Sequence, residues 1–96
     1  MRMLWIVYAG PDAVRVESTL KRLGAPSWTR LDHAHGSGTH GRVDGTRAWP
    51  GEETVFISIV AADRVAGLID GFAEEATRLS PAERLHVAVL PVERFQ

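Results

Sequence analysis

The chain of 96 residues has no cysteine and a single lysine, Lys21. Without thiols there are no disulfide staples, no thiolate metal sites and no cysteine nucleophile. Neither sign of charge is in excess. Eleven Lys and Arg against twelve Asp and Glu give a net charge of −1, so nothing points to nucleic acid or an anionic membrane surface. No apolar run approaches the roughly 20 residues of a spanning helix. The apolar start, Met3 to Tyr8, is too short and lacks the layout of a signal peptide. The expectation is a cytoplasmic protein with no membrane insertion and no nucleic-acid partner. The length fits one domain over residues 1–96 with a modest core.

What is present alternates in two similar halves. Met3 to Ala9 is rich in β-branched and aromatic residues and predicts a buried strand. Gly10-Pro11-Asp12 stops it, with Asp12 as the expected N-cap of a helix. Ala13, Val16, Leu20 and Leu23 recur at helical spacing, and Gly24 is the C-terminal stop. Trp28 to His35 reads as a second strand with polar residues on both faces. Thr54 to Ala61 is a strong strand, after which Asp63 is placed to cap a second helix. Val65, Leu68, Ile69, Phe72, Ala76 and Leu79 form its apolar stripe, and Ser80-Pro81 ends it. Leu85 to Leu90 is the last strand, closed by Pro91.

The order strand–helix–strand, loop, strand–helix–strand predicts an α+β, ferredoxin-like βαββαβ sandwich. Two helices then cover one face of a four-stranded antiparallel sheet. A wet second face requires strict alternation of apolar and polar residues. The strands do not alternate. Trp5 and Val7 oppose Leu4, Ile6 and Tyr8, while Val55, Ile57 and Ile59 oppose Phe56 and Val60. Both faces read as buried, yet the helices suffice for one, which predicts a partner subunit on the other.

The loop between the halves, residues 36–53, adjoins or contains most of the chemistry. His33, His35 and His40 lie close in sequence, and His33 and His35 are two apart on an expected strand, hence on one face. Three convergent imidazoles define a candidate site for a divalent metal. Gly36, Gly38 and Gly41 can expose backbone N–H groups to an anion. Arg42 and Arg47 flank the turn signal Asp44-Gly45, and either can fork onto a phosphate or carboxylate. Trp49 can stack on a ligand ring or anchor the loop. No catalytic set emerges. Glu52-Glu53 and Glu74-Glu75 are adjacent pairs that do not face each other as an acid and base must.

With these residues placed, the chain resembles the PII-like signalling proteins, relatives of the nitrogen regulatory protein PII. Gly36-Ser37-Gly38 at the end of the second strand resembles the Gly-x-Gly that opens the family's long T-loop. Leu90-Pro91-Val92-Glu93 resembles its Phe-Pro-Val-Glu phrase. The resemblance implies a homotrimer with the sheets facing inward. It also implies small-ligand clefts between subunits at the base of loop 36–51, and a possible downstream protein target. The expected function is therefore a non-enzymatic regulatory sensor for an anion, nucleotide or metal. The chain departs from the family in three places. The loop is short and has no tyrosine. Residues 80–84, Ser-Pro-Ala-Glu-Arg, lack the glycines and lysine of the family's phosphate-binding loop. The C-terminal segment with phosphate-facing arginines is absent. Pro81 removes a donor and Glu83 is expected to repel phosphate, leaving Arg84 to meet an anion. Standard ATP or ADP binding is therefore not expected. Two rival readings remain: a metal-binding protein using the three histidines, and a small acylphosphatase-like hydrolase. The latter needs an arginine in the loop after the first strand, where Gly10-Pro11-Asp12 has none.

Overall fold

A computed structural model describes residues 1–38, 41–42 and 52–96 of the chain. Strand β1 runs from Arg2 to Ala9, helix α1 from Val14 to Arg22, and strand β2 from Thr29 to His35. Two short strands, β3 (Ser37–Gly38) and β4 (Gly41–Arg42), follow. Strand β5 spans Glu52–Val60, a 3-10 turn spans Ala62–Arg64, helix α2 spans Val65–Ala76, and strand β6 spans Arg84–Pro91. The main sheet has the order β2-β5-β1-β6, and every neighbouring pair is antiparallel. This is the ferredoxin-like arrangement expected from the element order.

The helix-covered face of the sheet holds the core. Leu4, Ile6 and Tyr8 of β1 lie in register with Ser58, Phe56 and Thr54 of β5. They pack with Val16 and Leu20 of α1 and Leu68 and Phe72 of α2, all nearly or fully buried. Ser58 is buried too, and its hydroxyl donates to the Ser27 carbonyl at 2.6 Å, so this hydroxyl is not stranded. No helix among the described residues is long and apolar enough to cross a membrane.

The opposite face is apolar as well, and it is partly exposed. Trp5 pairs in register with Ile57 and Ala88, and Met3 with Ile59 and Leu90. Trp5 is 39% exposed, Leu90 42% and Leu31 46%. A hollow of about 650 Å³ opens here, bordered by Met3, Trp28, Ile57, Ile59 and Phe95.

Helix ends depart from the sequence expectations in instructive ways. Asp12 is not the N-cap of α1. That position falls to Ala13, with no side-chain cap, and the Asp12 N–H donates to the Tyr8 hydroxyl at 3.1 Å. Asp63 does not cap α2 either. It sits inside the 3-10 turn that precedes the helix. Helix α2 stops at Ala76, short of Leu79 and Ser80. The Thr77 hydroxyl donates to the Glu74 carbonyl at 2.6 Å, and residues 77–79 turn more tightly, each N–H reaching three residues back. Leu79 still packs against the core from that turn. Gly24 does end α1 as expected, with φ of +78°. Its N–H donates to the Lys21 carbonyl and that of Ala25 to the Leu20 carbonyl, the two bonds of a Schellman motif.

Candidate ligand-binding clefts at the loop base

Strand β2 is an edge strand, which is why polar residues occupy both of its faces. Its pairing with β5 is irregular. Thr29 to Leu31 follow one register and Ala34–His35 another, and His33 within the bulge has φ of +62°. That conformation is uncommon for a side-chain-bearing residue and re-aims the imidazole. His33 Nδ1 shares a hydrogen bond with a Glu52 carboxylate oxygen. The Glu52 hydrogen bond and charge raise the His33 pKa above its ordinary value. The bond ties the strand before the loop to the strand after it, since Glu52 opens β5 and faces His35 in register.

Arg30 lies earlier on the same strand. Its Nε donates to Asp32 at 2.7 Å and its Nη1 to Glu17 of α1 at 2.9 Å, with the guanidinium 5.9 Å from the Phe56 ring centre. Two carboxylates thus neutralise it. These groups border a cleft of about 370 Å³. The Gly10–Val14 turn forms one wall, Arg30, Asp32 and His33 the second, and Glu52 and Thr54 the floor.

A second cleft, about 320 Å³, lies at the α2–β6 turn beside Leu79, Ser80, Pro81, Glu83, Arg84 and His86. The expectation that Glu83 projects repulsive charge into this space is incorrect. Its side chain is 10% exposed and turns inward. One carboxylate oxygen accepts the Tyr8 hydroxyl at 2.7 Å, and the other accepts the Ser80 N–H at 3.2 Å. Arg15 stands 3.6 Å away, bound by its Nε to Glu75 at 2.7 Å and by its Nη2 to the Arg78 carbonyl. Burial pushes the Glu83 pKa up, but these hydrogen bonds and Arg15 outweigh it and hold the carboxyl below its ordinary range. Burial and Glu83 together push the Tyr8 phenol up to about 12. Gly10 makes this arrangement possible, because a Cβ there would collide with the Tyr8 hydroxyl.

The sequence-derived site residues fall into three groups. Gly36 follows β2 directly, and Gly38 and Gly41 face one another across the β3–β4 pair, with Arg42 opposite Ser37. This short ribbon within the loop is a feature that the sequence reading does not contain. Arg84 begins β6, opposite Ala9 and beside the second cleft. His40, Arg47 and Trp49 lie outside the described residues. For the metal reading, His33 is engaged by Glu52, and the bulge breaks the alternation that put His33 and His35 on one face. Among the described residues no three His, Cys, Asp or Glu side chains group to hold a metal. Sequence reasoning missed Arg30, Glu52 and the Tyr8–Glu83–Arg15 cluster. The signal for the last was present: a tyrosine in a buried strand needs a partner for its hydroxyl.

The fold is that of the PII-like signalling proteins. No protein-family model matches the chain, and no curated protein matches it in sequence. Solved structures do match in three dimensions. CPII from Thiomonas intermedia K12, a nitrogen regulatory PII-like protein bound to ADP, AMP and bicarbonate, superposes with a TM-score of 0.69. It is 23% identical, and the alignment covers 97% of this chain and 88% of that one. The apo form of CPII gives a TM-score of 0.64 at 18% identity, over 95% and 89% of the two chains. A putative PII-like signalling protein from Thermus thermophilus gives 0.62 at 21% identity, over 93% and 84%.

Proposed function

We propose that this protein is a non-enzymatic, PII-like sensor that assembles as a homotrimer and binds a small anionic effector at the base of loop 36–51. The observation that carries this reading is a fold match over nearly the whole chain to a protein captured with ADP, AMP and bicarbonate. The uncovered apolar sheet face supports the assembly, since Trp5, Leu31 and Leu90 are otherwise left in water. In the trimer, a neighbouring subunit completes the loop-base cleft. Gly36, Gly38, Gly41, Arg42, Arg47 and Trp49 contribute from the loop and Arg84 from the α2–β6 turn. Ligand binding changes what the trimer presents to a downstream protein.

The effector is expected to be a small oxyanion such as bicarbonate, or a nucleotide held mainly by its base and sugar. A triphosphate needs several charge-assisted contacts, and residues 80–84 supply Arg84 but no lysine or glycine. The ATP dissociation constant should therefore lie above about 100 μM. Isothermal calorimetry with ATP, ADP, AMP and bicarbonate, on the parent and on Arg84→Ala, tests this. Binding of one of the last three that Arg84→Ala weakens supports the reading. Low-micromolar ATP affinity would overturn the expected discrimination, and a protein that binds none of the four would overturn the sensor assignment for this ligand class.

A further inference from the structure

The Glu83 carboxylate occupies a place built for an anion. Two donors and a cation from three parts of the fold surround it: the Tyr8 hydroxyl from β1, the Ser80 N–H from the α2–β6 turn, and the Arg15 guanidinium from α1 at ion-pair distance, 3.6 Å. None is incidental. The Tyr8 oxygen accepts the Asp12 N–H, which leaves its own proton to point at Glu83. Arg15 commits Nε to Glu75 and Nη2 to the Arg78 carbonyl, which leaves Nη1 facing Glu83. Two of the three partners are held without help from the carboxylate, whereas the Ser80 N–H belongs to the turn that carries Glu83, whose own N–H donates to the Ser80 carbonyl at 3.0 Å. Tyr8 is in a central strand of the sheet and Arg15 is pinned to α2. The occupant, by contrast, hangs on two methylenes from the turn. Ser80 and Glu83 themselves border the 320 Å³ cleft, with Arg84 and His86 beside them.

We propose that Glu83 is the built-in occupant of an anion pocket formed by Tyr8, Arg15 and the Ser80 N–H, and that this pocket takes a small carboxylate or bicarbonate when Glu83 is withdrawn. In the resting protein the tethered carboxylate excludes external anions, since its effective concentration beside the donors far exceeds that of a free ion. The inference concerns a pocket of one subunit. It stands or falls separately from the trimer and from the identity of the effector.

The test is chemical rescue. Glu83→Ala removes the carboxylate and leaves space of about the size of acetate. Thermal melting of the variant and the parent is followed in sodium acetate, formate and bicarbonate, with sodium chloride at equal ionic strength as the reference. The Glu83→Ala midpoint should fall below that of the parent. It should then rise with acetate along a saturating curve, by about 3–6 °C at about 100 mM relative to chloride, while the parent moves by less than about 1 °C. The Ser80 amide resonance of the variant should shift along the same curve, and Tyr8→Phe combined with Glu83→Ala should lose most of the response. If Glu83→Ala does not fold, Glu83→Ser opens the same space and is measured in the same way. Equal responses to acetate and chloride, or equal responses of variant and parent, overturn the proposal.

Discussion

Tyr8 shows how one residue of a buried strand ties distant parts of the chain together. Its ring fills the core between the sheet and the helices. Its hydroxyl meets Glu83, 75 residues away, and the N–H of Asp12 on the rim of the loop-base cleft. Because it is the only tyrosine, its ionisation can be followed alone by phenolate absorbance. Burial and the Glu83 carboxylate oppose the phenolate, so the folded-state value is about 12 against an ordinary 10.0. The raised value favours the folded protein at any pH below 10. That contribution is lost as pH rises through 10 towards 12. A spectrophotometric titration should therefore show phenolate forming well above pH 10 and together with loss of near-UV circular dichroism. Ionisation at pH 10 in a protein that keeps its folded signal would show that the hydroxyl is not enclosed in this way.

Among the elements, α1 has the most fully satisfied end. The Schellman pair closes on Gly24, and the Arg64 Nη2 reaches from the 3-10 turn before α2 to the Leu23 and Gly24 carbonyls at 3.3 and 3.0 Å. The start of α2 is thereby bound to the end of α1. A side chain at position 24 meets two penalties, the positive φ and the Arg64 guanidinium 2.7 Å from the new Cβ. Gly24→Ala should cost about 1–2 kcal/mol, from the left-handed conformation alone. Urea denaturation should show this as a lower midpoint with an unchanged slope. A midpoint equal to that of the parent would mean that the turn relaxes without penalty. Strand β2 shows the opposite kind of element, an exposed edge whose bulge interrupts the ladder and brings His33 to Glu52.

For the whole molecule the open face of the sheet dominates. A single chain leaves Trp5 and Leu90 partly in water on a surface that carries apolar residues of β1, β5 and β6. Light scattering at micromolar concentration should give the mass of three chains, about three times 10.5 kDa. Ile57 lies in register with Trp5 on that face, so Ile57→Asp places an unpaired charge on the proposed interface and should dissociate the assembly. A parent protein of monomer mass would sink the trimer, and an Ile57→Asp variant of unchanged mass would place the interface elsewhere.

Local pattern was enough to identify the fold. Unbroken apolar strands, two amphipathic stretches and the glycine after α1 specify βαββαβ, because each signal acts within a few residues and the handedness of the connections leaves few topologies. The absence of alternation in β1 and β5 likewise marked a second apolar face. The chemistry of the clefts was not legible in this way. Glu83 read as a charge that repels phosphate, and only tertiary contact with Tyr8 and Arg15 turns it inward. Asp12 read as a cap, whereas the helix begins one residue later at Ala13 and the Asp12 N–H binds the same tyrosine. His33 and His35 read as two residues of one regular strand, and the pairing of β2 with β5 introduced the bulge that separates their roles. In each case the deciding partner lies more than a turn away in sequence or on another element. Long-range packing therefore chose among side-chain arrangements that the local sequence left equally open.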